Sequence, residues 1–150
     1  WFFNSSPKAG ASQPHRHFQL LRRSKSERIC PREDWFLELK LNKKINNKLK
    51  KNIVVSDFNF LENSSCIHGL YLELLRKLGL GNPSHDKKPK YPYNVLITNK
   101  WIAMIKRSND HIHGISINGL GFAGYLLVTE NSDINYLRKV GPEKLLESFV

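Results

Sequence analysis

Ile67, Leu70, Tyr71, Leu74, Leu75 and Leu78 recur at i, i+3, i+4, i+7, i+8 and i+11. That spacing lays one apolar stripe along a 3.6-residue helix, with Glu73, Arg76 and Lys77 off it. Ser64 or Ser65 can cap the start of this helix, and Gly79 or Gly81 can end it. Elsewhere the pattern shortens to strand lengths. Residues 1–5 and 14–22 read as strands joined by a Gly/Ser/Pro loop over 6–13. Ile53-Val54-Val55 and Phe58-Asn59-Phe60 read the same way, the second alternating. Tyr93 to Thr98 and Trp101 to Ile105 are two apolar strands, with Asn99-Lys100 as a two-residue hairpin turn.

Arg107 to Gly114 reads as a loop and Ile115 to Ile117 as a strand. Asn118-Gly119-Leu120-Gly121 then forms a Gly-rich turn whose glycines permit close approach of a ligand. Phe122 to Val128 continues as a strand or the start of a helix. Ser132 to Lys139 is helical in pattern, and Pro142 suits the first turn of a last helix burying Leu145, Leu146 and Phe149. Trp35 to Leu39 begins a short helix or packs over a core edge. The expected fold class is α+β: an antiparallel-rich sheet with helices on one side. There are no internal repeats and no Walker or Rossmann glycine motif.

The 150 residues suit one domain with a core of its own. The apolar opening Trp1-Phe2-Phe3 reads as a cut through a strand, which points to a piece of a longer protein. No 18-residue apolar run is present to form a spanning helix. Cys30 and Cys66 are too few and too far apart for a disulfide framework or a Cys-rich zinc site, so reduced thiols and a cytoplasmic location are expected. Net charge is +11, from 24 Lys+Arg against 13 Asp+Glu, which favours anionic partners without separating nucleic acid from nucleotide. Six lysines fall in the Lys/Asn-rich stretch 40–52. No aromatic residue is interleaved there to stack on bases, so a solvated, loosely ordered insertion is the expectation. His68 and His85 read as ordinary polar residues. His111-Ile112-His113 has no third ligand nearby, and no metal site is expected from it.

The chemistry concentrates near the start, in Gly10-Ala11-Ser12-Gln13-Pro14-His15-Arg16-His17-Phe18-Gln19. In an extended segment side chains alternate, so His15, His17 and Gln19 share one face in steps of about 7 Å. They follow a loop whose backbone N–H groups can meet an anion. Moving a nucleotidyl group between phosphates is eased by a covalent intermediate. A neutral imidazole held in one tautomer can form it. His17 can be that nucleophile, His15 can orient it or donate to phosphate, and Gln19 can donate to a phosphate oxygen without adding charge.

Asn4 through Gln19, ending His-x-His-x-Gln, resembles the active-site run of the diadenosine tetraphosphate phosphorylases (ATP adenylyltransferases). These belong to the histidine-triad superfamily, on the galactose-1-phosphate uridylyltransferase branch. Pro92-Tyr93-Asn94-Val95-Leu96-Ile97-Thr98, Trp101, Ile105-Lys106-Arg107-Ser108 and Ile115 through Gly124 resemble the same family's C-terminal region. The resemblance implies a histidine-triad-like fold, with residues 1–150 the C-terminal portion of a nucleotidyltransferase whose N-terminal half is missing and 40–52 an insertion.

It further implies that His17 forms an adenylyl-histidine and Gln19 binds the phosphate, with His15 beside them. Asn4, Gly10, Ala11, Ser12 and Gln13 would contact the nucleotide and its phosphates. Asn118, Gly119, Leu120 and Tyr125 would sit at the substrate's far side. The implied reaction is phosphorolysis of diadenosine tetraphosphate to ATP and ADP, or its reverse. Its partners are nucleotides and phosphate, not nucleic acid or membrane. No resident cofactor is implied, only a divalent metal that could accompany the nucleotide substrate.

Two positions depart from the family pattern: Ser6 stands where glycine is common and Arg16 where lysine is common. The family's region ahead of the motif, with a phosphate-contacting lysine, is missing, so the isolated chain is expected to hold the nucleophile but not the whole pocket. Two alternatives stand beside this reading. A histidine-triad hydrolase would pass the intermediate to water, but usually shows a histidine where Gln19 stands. A non-catalytic nucleic-acid-binding module would use the +11 charge alone, with binding that weakens steeply with salt.

Overall fold

The computed structural model describes residues 1–22, 24, 26–27, 30–41, 47–59 and 66–150. A five-stranded antiparallel sheet organises them, built from β1 (Phe2–Asn4), β2 (Phe18–Gln19), β3 (Ile53–Asp57), β4 (Tyr93–Ile97) and β5 (Trp101–Lys106) in the order β2-β1-β4-β5-β3. β4 and β5 form the expected hairpin, with Ile97 opposite Ile102. The strand expected over 14–22 pairs only at Phe18 and Gln19, opposite Phe3 and Phe2. Phe58 and Asn59 lie beyond β3 and are not strand, and Phe60 lies outside the described residues.

The two central strands are apolar and buried on both faces, so both faces must be covered. This decides where the helices go. One face, through Val95, Ile97, Ile102 and Met104, packs against Leu74 and Leu75 of α3 (Ile67–Lys77) and against Leu78, its C-cap. Each such leucine contributes about 1.5–3 kcal/mol on burial. The stripe thus forms the expected helix, while its candidate caps Ser64 and Ser65 lie outside the described residues. Its C-terminal end is closed by Gly79 at φ +63, whose N–H donates to Arg76 O.

The opposite face, through Leu96, Ala103 and Ile105, packs against Phe36, Leu39, Leu49, Phe122, Leu145 and Leu146. These come from α1 (Glu33–Lys40), α2 (Asn47–Asn52), α4 (Gly119–Ala123) and α5 (Ile134–Glu147). The α+β antiparallel architecture stands, but the helices expected on one side are shared between both.

Three local expectations change. Within the stretch expected to be a loosely ordered insertion, Asn47–Asn52 forms α2 and buries Leu49; Lys40 closes α1, and 42–46 lie outside the described residues. The segment after Ile117 is neither a plain turn nor a strand but α4, capped by the Asn118 side chain. The loop over 107–114 holds half of a small hairpin, β6 (His111–Ile112) with β7 (Ile115–Ser116). Its two-residue turn has positive φ at His113 and Gly114, the conformation that matches strand twist. Pro142 does begin the final helical segment, directly after Gly141 at φ 78 breaks the helical path.

Candidate active site

β2 is an edge strand, and its pleat separates the motif into two sides. Gln19 lies opposite Phe2, on the face that carries Asn4. Phe18 turns to the other face and stacks on Phe3 at 5.0 Å. His17, one residue before β2, is half-buried. Its Nε2 is 2.6 Å from Gln19 Nε2, and its Nδ1 is 3.1 Å from His15 O. A primary amide nitrogen only donates and a carbonyl only accepts. The two contacts are therefore satisfied together by one tautomer: the proton on Nδ1, donated to His15 O, and the lone pair on Nε2, accepting from Gln19. A neutral imidazole with a directed Nε2 lone pair is the nucleophilic form. His15 thus orients His17 through its main-chain carbonyl. Its own exposed ring lies 5.0 Å, centroid to centroid, from that of His17.

The loop before the motif is a closed turn. Ser6 is extended, Pro7–Ala9 make one 3-10 turn, and Gly10 takes φ +82. The N–H groups of Ala9, Gly10 and Ala11 donate to Ser6 O, Pro7 O and Ser6 O. The N–H groups expected to meet an anion across this loop are therefore partly spent on the turn itself. Ser12 and Gln13, both exposed, are the next loop positions whose N–H groups lie outside the turn.

Asn4 is not a free ligand either. Its Oδ1 accepts from Asn94 Nδ2 at 2.7 Å and from Gly119 N at 2.9 Å, and its Nδ2 donates to Gly10 O at 3.5 Å. Asn118 Oδ1 caps α4, accepting from Leu120 N at 2.9 Å and Gly121 N at 3.3 Å. Gly10 packs so tightly here that an added Cβ would lie 2.7 Å from Asn118 Cα. The loop at 10 and the turn at 118, more than 100 residues apart, are thus one surface. Beside it is a cleft of about 240 Å³ lined by Gly10, Asn118, Gly121 and Tyr125, with the hydroxyl residues Ser116, Thr129 and Ser132. His17 and Gln19 are not among its lining residues. Leu120 is only partly buried and packs against the core.

Two residues that sequence reasoning missed hold this surface from below. Asn94 is 0% exposed and Arg107 1% exposed. Arg107 donates to Asn94 Oδ1 (2.8 Å), Ile117 O (2.7 Å), Asn109 O (3.0 Å), Phe149 O (3.3 Å) and Ala9 O (3.4 Å). Burial pushes its pKa down to about 10, with the charge of Asp110 opposing that shift. The available signal was Asn94 itself, a polar residue inside the otherwise apolar run of β4. His111 and His113 lie on the small hairpin. His113 stacks on Tyr136 at 3.8 Å, and His111 Nδ1 contacts Asp110 Oδ1 at 2.9 Å. Among the described residues no group of three His, Cys, Asp or Glu side chains is placed to hold a metal ion.

A family model, the ATP adenylyltransferase C-terminal domain, matches residues 47–150. The chain belongs to that family. The His15–Gln19 motif precedes the matched segment, so its role rests on the geometry and the resemblance above. Diadenosine 5',5'''-P1,P4-tetraphosphate phosphorylase 2 of Saccharomyces cerevisiae is 26% identical over 91% of this chain and 46% of its own length. Protein APA1 of the same yeast is 26% identical over 89% of this chain, again 46% of its length. The chain therefore spans about half the length of these relatives. Among solved structures, yeast Ap4A phosphorylase Apa2 in complex with AMP superposes with a TM-score of 0.65 at 23% identity, over 98% of this chain and 52% of that one. That likeness supports the shared α+β fold. No described helix is long and apolar enough to cross a membrane.

Proposed function

We propose that this chain carries the nucleotidyl-transfer centre of a diadenosine tetraphosphate phosphorylase. In this reading His17 Nε2 attacks the phosphorus next to one adenosine. A P–N bond forms, the P–O bond to the remaining triphosphate breaks, and ATP leaves. An oxygen of inorganic phosphate then attacks the adenylyl-histidine, the P–N bond breaks, and ADP leaves with His17 restored. The observation that carries the proposal is the Gln19–His17–His15 chain of contacts. It holds the Nε2 lone pair toward the Gln19 amide and leaves the proton on Nδ1, where the His15 carbonyl can stabilise the positive charge that builds on the ring. Gln19 exchanges its bond to Nε2 for one to a phosphate oxygen as the P–N bond forms. Ser12 and Gln13 offer N–H groups to the same charge, and Tyr125 with the cleft beside Asn118 receives further parts of the substrate. A divalent cation enters this reading only with the substrate, on its phosphates. Family membership supports the reaction class, and a cytoplasmic location goes with it.

Incubation of the full chain with labelled diadenosine tetraphosphate tests the reading. An acid-labile, base-stable adenylyl adduct is expected, and none in His17→Ala. An adduct of undiminished yield in that variant removes His17 as nucleophile. Release of AMP without phosphate dependence would instead indicate the hydrolase.

A further inference from the structure

We propose that Asn94 and Arg107 are positioning residues that hold the phosphate-side loop and the start of α4 in one fixed relation, from beneath the site and without touching substrate. The proposal rests on the nucleotidyl-transfer reading for its catalytic meaning, and on the hydrogen-bond geometry for its structural content.

A buried asparagine in the centre of a sheet is costly unless its amide is satisfied. Asn94 meets that demand almost wholly with the site. Its Nδ2 donates to Asn4 Oδ1 and to Ala9 O, both at 2.7 Å, and its Oδ1 accepts from Arg107 at 2.8 Å. Arg107 extends the same pattern. It reaches Ala9 O on the loop and Ile117 O, the residue before the Asn118 cap. Asn4 closes the ring by accepting from Gly119 N. Segments around residues 4, 9, 94, 107 and 117–119 therefore meet at one buried point.

The partners of the Arg107 guanidinium in that ring are neutral oxygens, so its charge is met there without a carboxylate. A buried ionic group of this kind is often less stable than an apolar replacement of similar volume. What the guanidinium supplies instead is geometry: a rigid fork that sets several carbonyls at once. It also leaves a positive charge beneath the loop, in a poorly solvated place where its field reaches an approaching phosphate.

Asn94→Asp separates positioning from folding. The new carboxylate keeps a partner in Arg107 but turns two donated hydrogen bonds into oxygen–oxygen contacts with Asn4 and Ala9. The full chain of wild type, Asn94→Asp and Arg107→Lys is compared by thermal melting, by amide hydrogen exchange and by AMP affinity from calorimetry. Cooperative melting of Asn94→Asp is expected. Exchange should rise at least tenfold at the hydrogen-bonded amides of 9–11 and at 119–121 together, with β3 and α3 unchanged. AMP affinity should fall about tenfold or more, and Arg107→Lys, which keeps the charge but not the fork, should fall between. Unchanged exchange at the two segments overturns the proposal, as does a uniform rise across β3 and α3, which marks a merely structural role. AMP binding to Asn94→Asp as tight as to a binding wild type overturns it too. If Asn94→Asp does not fold, the same criteria are read from Arg107→Lys. Should wild type bind no AMP, the nucleotidyl-transfer reading fails while the exchange data still decide the positioning role.

Discussion

Replacing Gly10 by alanine tests whether the loop and the α4 turn form one working surface. Two costs add. Gly10 sits at φ +82, where an L side chain costs roughly 1–2 kcal/mol. The new Cβ would also lie 2.7 Å from Asn118 Cα, 2.8 Å from Asn118 Cβ and 2.8 Å from Ile117 O. Carbon atoms rest near 3.5–4.0 Å, so the segments must part by about 1 Å. None of the three atoms is the far end of a flexible side chain. Overpacking of this kind costs about 1–3 kcal/mol, for a total of about 2–5 kcal/mol.

Gly79 provides the control. It has φ +63 and nothing within 4 Å of its would-be Cβ, so Gly79→Ala carries the backbone cost alone, about 1–2 kcal/mol. Urea denaturation measures both. The rate of adenylyl-histidine formation per folded molecule should fall on the order of 10²-fold in Gly10→Ala, the usual consequence of a displacement near 1 Å, and stay unchanged in Gly79→Ala. If the two variants lose equal stability and both keep the wild-type rate, Gly10 and Asn118 do not form a catalytic surface.

Gln19→Ala should slow phosphorolysis by about 10²–10³-fold, the effect of losing one donor to a developing oxyanion; an unchanged rate in a steady-state assay removes Gln19 from the mechanism. Leu74→Ala, in the fully buried stripe of α3, should cost about 2–5 kcal/mol by denaturation while leaving the adduct rate per folded molecule intact, since it lies under the face of the sheet opposite His17. Arg107 carries a pH prediction. Its folded pKa is lowered to about 10, so the folded state disfavours its charged form; that penalty is full below the folded value and lifts as pH rises through it. The stability of wild type relative to Arg107→Met should therefore increase as pH passes about 10, and a decrease in paired melting curves would contradict the burial argument.

Local physics made several elements legible from the sequence. The stripe from Ile67 to Leu78 could only be a helix burying one face. Two apolar runs around Asn99-Lys100 read as a hairpin, and Pro142 suited the first turn of a helix. Each rests on periodicity or on one residue's dihedral limits, which neighbours along the chain supply. The alternation that put His17 and Gln19 on one face is of the same kind, and it survives although the strand shrinks to two residues.

What tertiary structure decided lies in contacts between distant residues. β4 and β5 read as apolar without saying that both faces needed helices. Asn118-Gly119-Leu120-Gly121 read as a turn, and nothing local shows that the Gly119 N–H, which the Asn118 cap does not take, is met by Asn4, 115 residues earlier. His15 was weighed by its ring, whereas the backbone path makes its carbonyl the partner of His17. Asn94 stood inside an apolar strand and Arg107 at the start of a loop, and neither showed its partners until the fold brought Ala9 and Ile117 to them. A side chain's partners depend on which segments the topology brings together, and no local pattern encodes that.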